Sequence, residues 1–273
     1  RQMCIRDSSD RGASPVSAPT AKGVDADGFI LTVPDRTVQV EFQPLLEDAC
    51  TLLSQPELGV DGIYLYGSVV RGDAIPGACD LDLTLVLREA PTLQIRERLE
   101  VVRCELERRY AQVTKVDFDI GSRAQVLAAE NTNSWGFWLK HYCRCLWGND
   151  LALHFERFRP SLDIALAVNG DFETVLTTYL TRIAGAGDDQ ERLRLQREAS
   201  RKLIRATQVL CGENALAWPQ TLEEHVALFV QRYPTRVTQV AFFLFEARNP
   251  SADSEKFSAR LSAFLGWMIS QGT

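Results

Sequence analysis

Residues 64–87, YLYGSVVRGDAIPGACDLDLTLVL, restrict the fold of this chain more than any other stretch. Ile63 to Tyr66 is short, apolar and β-rich, and it leads directly into Gly67-Ser68, where the backbone must turn sharply. Eleven residues separate Ser68 from Asp80, and LDLTLVL at 81–87 then alternates. Leu81, Leu83, Leu85 and Leu87 share one face of a strand, while Asp82, Thr84 and Val86 share the other, which Asp80 extends. The flanking segments supply further elements. Phe42, Leu45, Leu46, Ala49, Leu52 and Leu53 recur at three and four, predicting a helix over 42–54 with Pro44 in its first turn and Pro56 beyond its end. Ile95, Leu99, Val102, Leu106 and Tyr110 mark a second helical stripe, and VDFDI at 116–120 alternates again as a third strand. Strand, turn, strand, helix, strand is the order of an α/β layer with helices over one face of a sheet.

Past Gly148 no alternating segment remains, and apolar residues recur at helical spacing. Candidate helices are 171–183, 191–210, 221–233, 237–248 and 254–270, with Thr221 and Glu224 in capping-box spacing. The expected organisation is therefore an α/β domain at 23–149 followed by an all-α helical bundle at 150–273. Residues 1–22 lack periodicity and are set aside as a tail or scar. At 273 residues, either one large domain or two smaller ones can bury a core.

The longest aliphatic and aromatic run, Val240 to Phe245, is far short of the roughly 20 residues that span a bilayer. Seven scattered cysteines without a C-x-x-C pair give neither a disulfide framework nor a zinc site, which fits a reducing cytoplasm. Cys143 and Cys145 are read as packing residues inside a helical pattern, and His141, His154 and His225 form no constellation. A net charge of −6 disfavours nucleic acid as the partner.

A strand that ends in Gly-Ser and opens a helix offers free backbone N–H groups and a hydroxyl, which suit a phosphate. Asp80 and Asp82, at i and i+2 of one strand, project from the same face roughly 6 to 7 Å apart. Adjacent carboxylates repel unless a cation lies between them, and hard oxygen ligands are what magnesium requires. VDFDI adds Asp117 and Asp119 on one face of what can be a neighbouring strand. Asp-x-Asp alone equally describes the solvent side of an amphipathic strand; the turn, the eleven-residue gap and the later acidic strand in order are what point to chemistry.

That combined pattern resembles the polymerase-beta-like nucleotidyltransferase superfamily, and LYGSVVRGDAIPGACDLDL is particularly similar to its bacterial stand-alone members, among them aminoglycoside nucleotidyltransferases. The resemblance implies a mixed sheet, two Mg2+ ions, a nucleoside triphosphate with ATP as first choice, and transfer of a nucleoside monophosphate to an acceptor hydroxyl with release of pyrophosphate. Carried over by motif, Gly67 and Ser68 hold the triphosphate, Asp80 and Asp82 the metals, and Asp117 is the third carboxylate. Asp117 is preferred to Asp119 because in VDFDIGSRAQVL, as in similar family strands, the acid opens the strand and a helix start follows. Cys79 stands where Ser is more usual, and Arg71 in GSVVRG is placed to reach a phosphate oxygen or to cap the short helix.

In the helical half, Arg197, Arg201 and Arg205 fall at i, i+4 and i+8 with Lys202 beside them. The resemblance implies a bundle that closes over the nucleotide, and Lys202 is the candidate to neutralise the leaving pyrophosphate. Trp135, Trp138, Tyr142 and Trp147 are read as core or interface packing. The expected partners are a triphosphate and a small-molecule or protein acceptor, with a cationic, aminoglycoside-like hydroxyl compound first. The oligomeric state is not legible. The alternatives are transfer to RNA and a catalytically silent, antitoxin-like nucleotide-binding module.

Overall fold

Apolar positions at helical and alternating spacing place nearly all the elements. The computed structural model describes residues 22–212 and 216–272; residues 1–21 of the expected tail lie outside them. In chain order it contains α1 (Gln43–Leu53), β1 (Val60–Tyr66), α2 (Ser68–Arg71), β2 (Asp80–Leu87), α3 (Leu93–Arg109), β3 (Lys115–Ser122), α4 (Arg123–Leu127), α5 (Phe137–His141) and β4 (Arg144–Gly148). The helices α6 (Leu162–Asn169), α7 (Phe172–Ala184), α8 (Asp189–Ala206), α9 (Leu222–Arg232), α10 (Val237–Glu246) and α11 (Ser254–Ser270) follow. The mixed sheet has the order β3-β2-β1-β4: β1 runs antiparallel to both neighbours, and β2 is parallel to β3.

The leucines of β2 and Ile63 and Leu65 of β1 bury against α1 and α3, as their alternation requires. A second cluster of Tyr64, Val86, Val126, Leu139, Cys143 and Leu151 covers part of the opposite face, so helices lie on both sides of the sheet rather than on one. Tyr66 at the end of β1, Asp80 and Asp82 at the start of β2, and Asp117 and Asp119 of β3 lie on that second face. Tyr64, fully buried, donates its hydroxyl to the Asn149 carbonyl at 2.7 Å and accepts the Leu151 N–H at 2.9 Å, which pins the chain where the sheet gives way to the bundle.

Two elements depart from the expectation: α6 lies before the first helix expected in the bundle, and β4 replaces a helix. Cys145 and Trp147 lie in β4 rather than in a helix, because α5 ends at His141 and the chain then pairs antiparallel with the free edge of β1. Helical spacing of aromatic residues cannot reveal an edge strand whose stability comes from a partner some 80 residues earlier. The six cysteines among the described residues are all free, and among those residues no helix is long and apolar enough to cross a membrane.

The bundle core centres on Leu195, Ala199 and Leu203 of α8, spaced by four, and it also takes in Val24, Ile30 and Phe137 from the first half. Asp188 caps α8 by accepting the Glu191 N–H at 2.8 Å. Thr221 caps α9 by accepting the Glu224 N–H, but the Glu224 carboxylate returns to the N–H of Gln220 rather than to that of Thr221.

Two buried histidines make stability depend on acid. His225 has an Nδ1 with no hydrogen-bond partner, and burial, reinforced by the charge of Arg205, pushes its pKa down to about 3. Burial also lowers that of His141, whose Nε2 accepts the Phe158 N–H at 2.9 Å and so must be unprotonated. Unfolding frees both rings to take up protons near their ordinary value of 6.5. The unfolded chain therefore binds more protons below that pH, and stability that is complete above it is lost as the pH falls. The melting temperature is expected to decline below about pH 6.5, and His225→Phe is expected to flatten that decline. An acid limb unchanged by the substitution would assign the effect to other groups.

Candidate active site

The site begins where β1 stops. Gly67 has φ 78° and ψ −155°, backbone that L side chains avoid, and a Cβ there would run into the Asp82 carboxylate. Glycine thus both makes the turn and lets Asp82 lie against the backbone that leads into Ser68. Tyr66, the residue before the turn, is the register partner of Asp82.

The parallel register of β2 and β3 then sets the acids. Asp80 stands opposite Lys115, Asp82 opposite Asp117 and Thr84 opposite Asp119. Because neighbouring strands lie about 5 Å apart, Asp80, Asp82 and Asp117 share one patch on the face away from the leucines. Thr114 donates its hydroxyl to Asp80 Oδ1 at 2.9 Å, and Lys115 Nζ lies 2.8 Å from Asp117 Oδ1. Asp82 is the most strained of the three: burial, then repulsion from Asp80 and Asp117, pushes its pKa up to about 6, against partial relief from Lys115 and Arg71. Burial and the charges of Asp82, Asp119 and Asp117 raise the pKa of the Tyr66 phenol. Asp119 lies further along the same face, beside the Trp138 side, and burial raises its pKa too.

Three mutually repelling carboxylates are a donor set suited to a hard divalent cation. As the side chains stand, however, no three acidic, histidine or cysteine groups among the described residues come close enough together to hold one. Asp80 is turned to Thr114 and Asp117 to Lys115.

The basic wall comes from α8. With Leu195, Ala199 and Leu203 buried, Arg197, Arg201 and Arg205 fall on the opposite stripe. Burial and then Arg197 hold the Arg201 guanidinium below its usual pKa, and the charge of Asp80 acts against this. Arg205 is lowered by burial and Arg201, with Arg71 adding to the effect and Tyr142 and Asp82 opposing it. Both side chains nevertheless reach solvent, and the charges of Asp80 on Arg201 and of Asp82 on Arg205 place this stripe within electrostatic range of the acids. Lys202, by contrast, is engaged by Asp171 at 2.7 Å and Asn169 at 3.4 Å. The spacing of the three arginines was the legible signal for this wall; nothing in the sequence singled out Lys115 or Thr114.

Aromatic packing bridges the two walls. Tyr66 meets Trp138 edge to face at 4.9 Å, Trp138 donates its indole N–H to Thr84 at 3.0 Å and stacks on Tyr142 at 5.2 Å, and Tyr142 accepts the Trp218 indole N–H at 2.9 Å. These rings serve as interface packing between sheet and bundle.

Residues 45–122, from α1 to the end of β3, match the family model of the nucleotidyltransferase domain. A solved structure similar to this chain is the spectinomycin adenyltransferase AAD(9) from Enterococcus faecialis, crystallised with ATP and spectinomycin. The likeness has a TM-score of 0.52 at 12% identity and covers 80% of this chain and 98% of that one, so the bundle as well as the sheet is included. No curated protein sequence matches the chain.

Proposed function

We propose that this enzyme transfers a nucleoside monophosphate from a nucleoside triphosphate, with ATP as the first choice, to a hydroxyl of a small cationic acceptor, releasing pyrophosphate. The observation that carries this reading is the arrangement of charge: Asp80, Asp82 and Asp117 share one patch beside the Gly67-Ser68 turn, with Arg71, Arg201 and Arg205 acting electrostatically on it. A triphosphate fits between charges of opposite sign, and the cytoplasm is where such a substrate is available. The likeness to an adenyltransferase crystallised with ATP and spectinomycin favours a small acceptor over a protein or RNA.

In this mechanism the Gly67-Ser68 turn receives the triphosphate, and Arg201 and Arg205 neutralise the charge that develops on the leaving pyrophosphate. Asp117 orients the acceptor hydroxyl and takes its proton as the oxygen attacks the α-phosphorus and the bond to the β-phosphate oxygen breaks. Asp80, Asp82 and Asp117 are the residues that would hold magnesium, which supplies charge neutralisation and a lowered hydroxyl pKa. Lys202 contributes charge near the pyrophosphate only if it leaves Asp171.

The test is pyrophosphate release by the purified protein with each triphosphate and a panel of aminoglycosides, aminocyclitols, cell protein and RNA. ATP with a cationic hydroxyl compound is expected to stimulate release. Asp117→Asn is expected to lower that rate at least about a hundredfold, and Asp119→Asn only a few-fold. Labelling of RNA or protein with no stimulation by any small amine would overturn the acceptor class, and equal losses in the two variants would overturn the choice of Asp117.

A further inference from the structure

The chain carries its own cation among the crowded carboxylates. Lys115 stands directly opposite Asp80 across β2 and β3 and two residues before Asp117 on the same strand face, so Asp80, Asp82, Asp117 and Lys115 form the four corners of one patch. Its Nζ lies 2.8 Å from Asp117 Oδ1, and among the described residues no other lysine or arginine is ion-paired to any of the three acids. Half-exposed pairs of this kind add little to folding stability. Here the pair matters for what it occupies: the carboxylate assigned above to the acceptor proton is taken up by an ammonium group.

We propose that Lys115 is a positioning residue, the resident counter-ion of the carboxylate patch, which holds Asp117 until a divalent cation displaces it. The inference rests on the function proposed above for Asp80, Asp82 and Asp117. A single positive charge must withdraw before a double one takes the same oxygens, and the flexible four-carbon stem of lysine allows that withdrawal, whereas a planar guanidinium would grip the carboxylate in two places. Lys115 therefore sets how tightly the site accepts a cation. It does so by competition, without becoming a ligand itself.

The experiment is a titration of the purified protein with Mn2+ in the absence of triphosphate, followed through the paramagnetic resonance of the free ion, alongside melting curves with and without Mn2+. Lys115→Gln is expected to bind Mn2+ about tenfold more tightly than the wild type, the effect of removing one charge at this range. It should also gain more melting temperature on adding the metal. Lys115→Met carries the same expectation, so misfolding of either substitution leaves the test intact. Lys115→Arg is expected to bind no more tightly than the wild type. Equal affinity in the wild type and the neutral variants, with Mn2+ bound by both, would overturn this inference and leave the site reading standing. Absence of Mn2+ binding in all of them, or undiminished binding by Asp82→Asn, would overturn the carboxylate site and this inference together.

Discussion

Asp82→Asn is expected to lower nucleotidyl transfer at least about a hundredfold while raising the melting temperature at neutral pH. The two effects have one cause. Asp82 is the carboxylate that burial, Asp80 and Asp117 act upon most strongly, with a pKa pushed up to about 6 from 3.8. The folded chain therefore binds more protons than the unfolded one between those values, and ionised Asp82 costs stability above about pH 6. Asparagine keeps the shape and removes the charge, so its advantage should be full above that pH, shrink as the pH falls through it, and vanish near pH 4. Melting curves without divalent cations across this range, with pyrophosphate release measured in parallel, check both halves. A destabilised Asp82→Asn, or one that retains transfer within a few-fold of wild type, would remove Asp82 from the centre of the site. Asp80→Asn should share the loss of transfer.

Gly67→Ala is expected to abolish measurable transfer and to cost stability as well. The left-handed φ of 78° alone is worth about 1–3 kcal/mol for a residue with a side chain. The new methyl would also strike the Asp82 carboxylate and displace it from its place against the turn. Gly59→Ala is a milder comparison, because Gly59 has φ 67° and ψ 23°, in the left-handed helical region, with nothing within 4 Å of its would-be Cβ. Urea denaturation should show a φ penalty in both variants, the smaller in Gly59→Ala, and loss of transfer only in Gly67→Ala. Active Gly67→Ala protein would mean that the close approach of Asp82 to the turn is dispensable.

The shared face of the acids was legible because both strand patterns alternate. Alternation in LDLTLVL put Asp80 and Asp82 on the face opposite the leucines, and the same period in VDFDI put Asp117 and Asp119 together. Both patterns repeat every two residues, and burying the apolar face leaves no choice about where the acids go. The edge strand β4 was not legible in this way, since its residues follow no alternation and gain their partner only from β1.

The basic wall shows the limit more sharply. Spacing at i, i+4 and i+8 marked Arg197, Arg201 and Arg205 as one stripe of α8, yet nothing local distinguished that stripe from a solvated face or from Lys202 beside it. Packing of Leu195, Ala199 and Leu203 into the bundle put Arg201 and Arg205 within reach of the charges of Asp80 and Asp82, while Asp171, the residue before α7, took Lys202. The ion pair between Lys115 and Asp117 depends on the parallel register with β2, which no residue of β3 encodes alone.

By itself the sequence determined the period of each strand and helix, the glycine turn and the acidic face, because these depend on residues within a few positions of one another and on the geometry of a single element. Tertiary structure alone decided which strand lies beside which, which arginines come within reach of the acids, and which lysine is left holding Asp117, because each of those outcomes is settled by side chains that meet only after distant elements have packed.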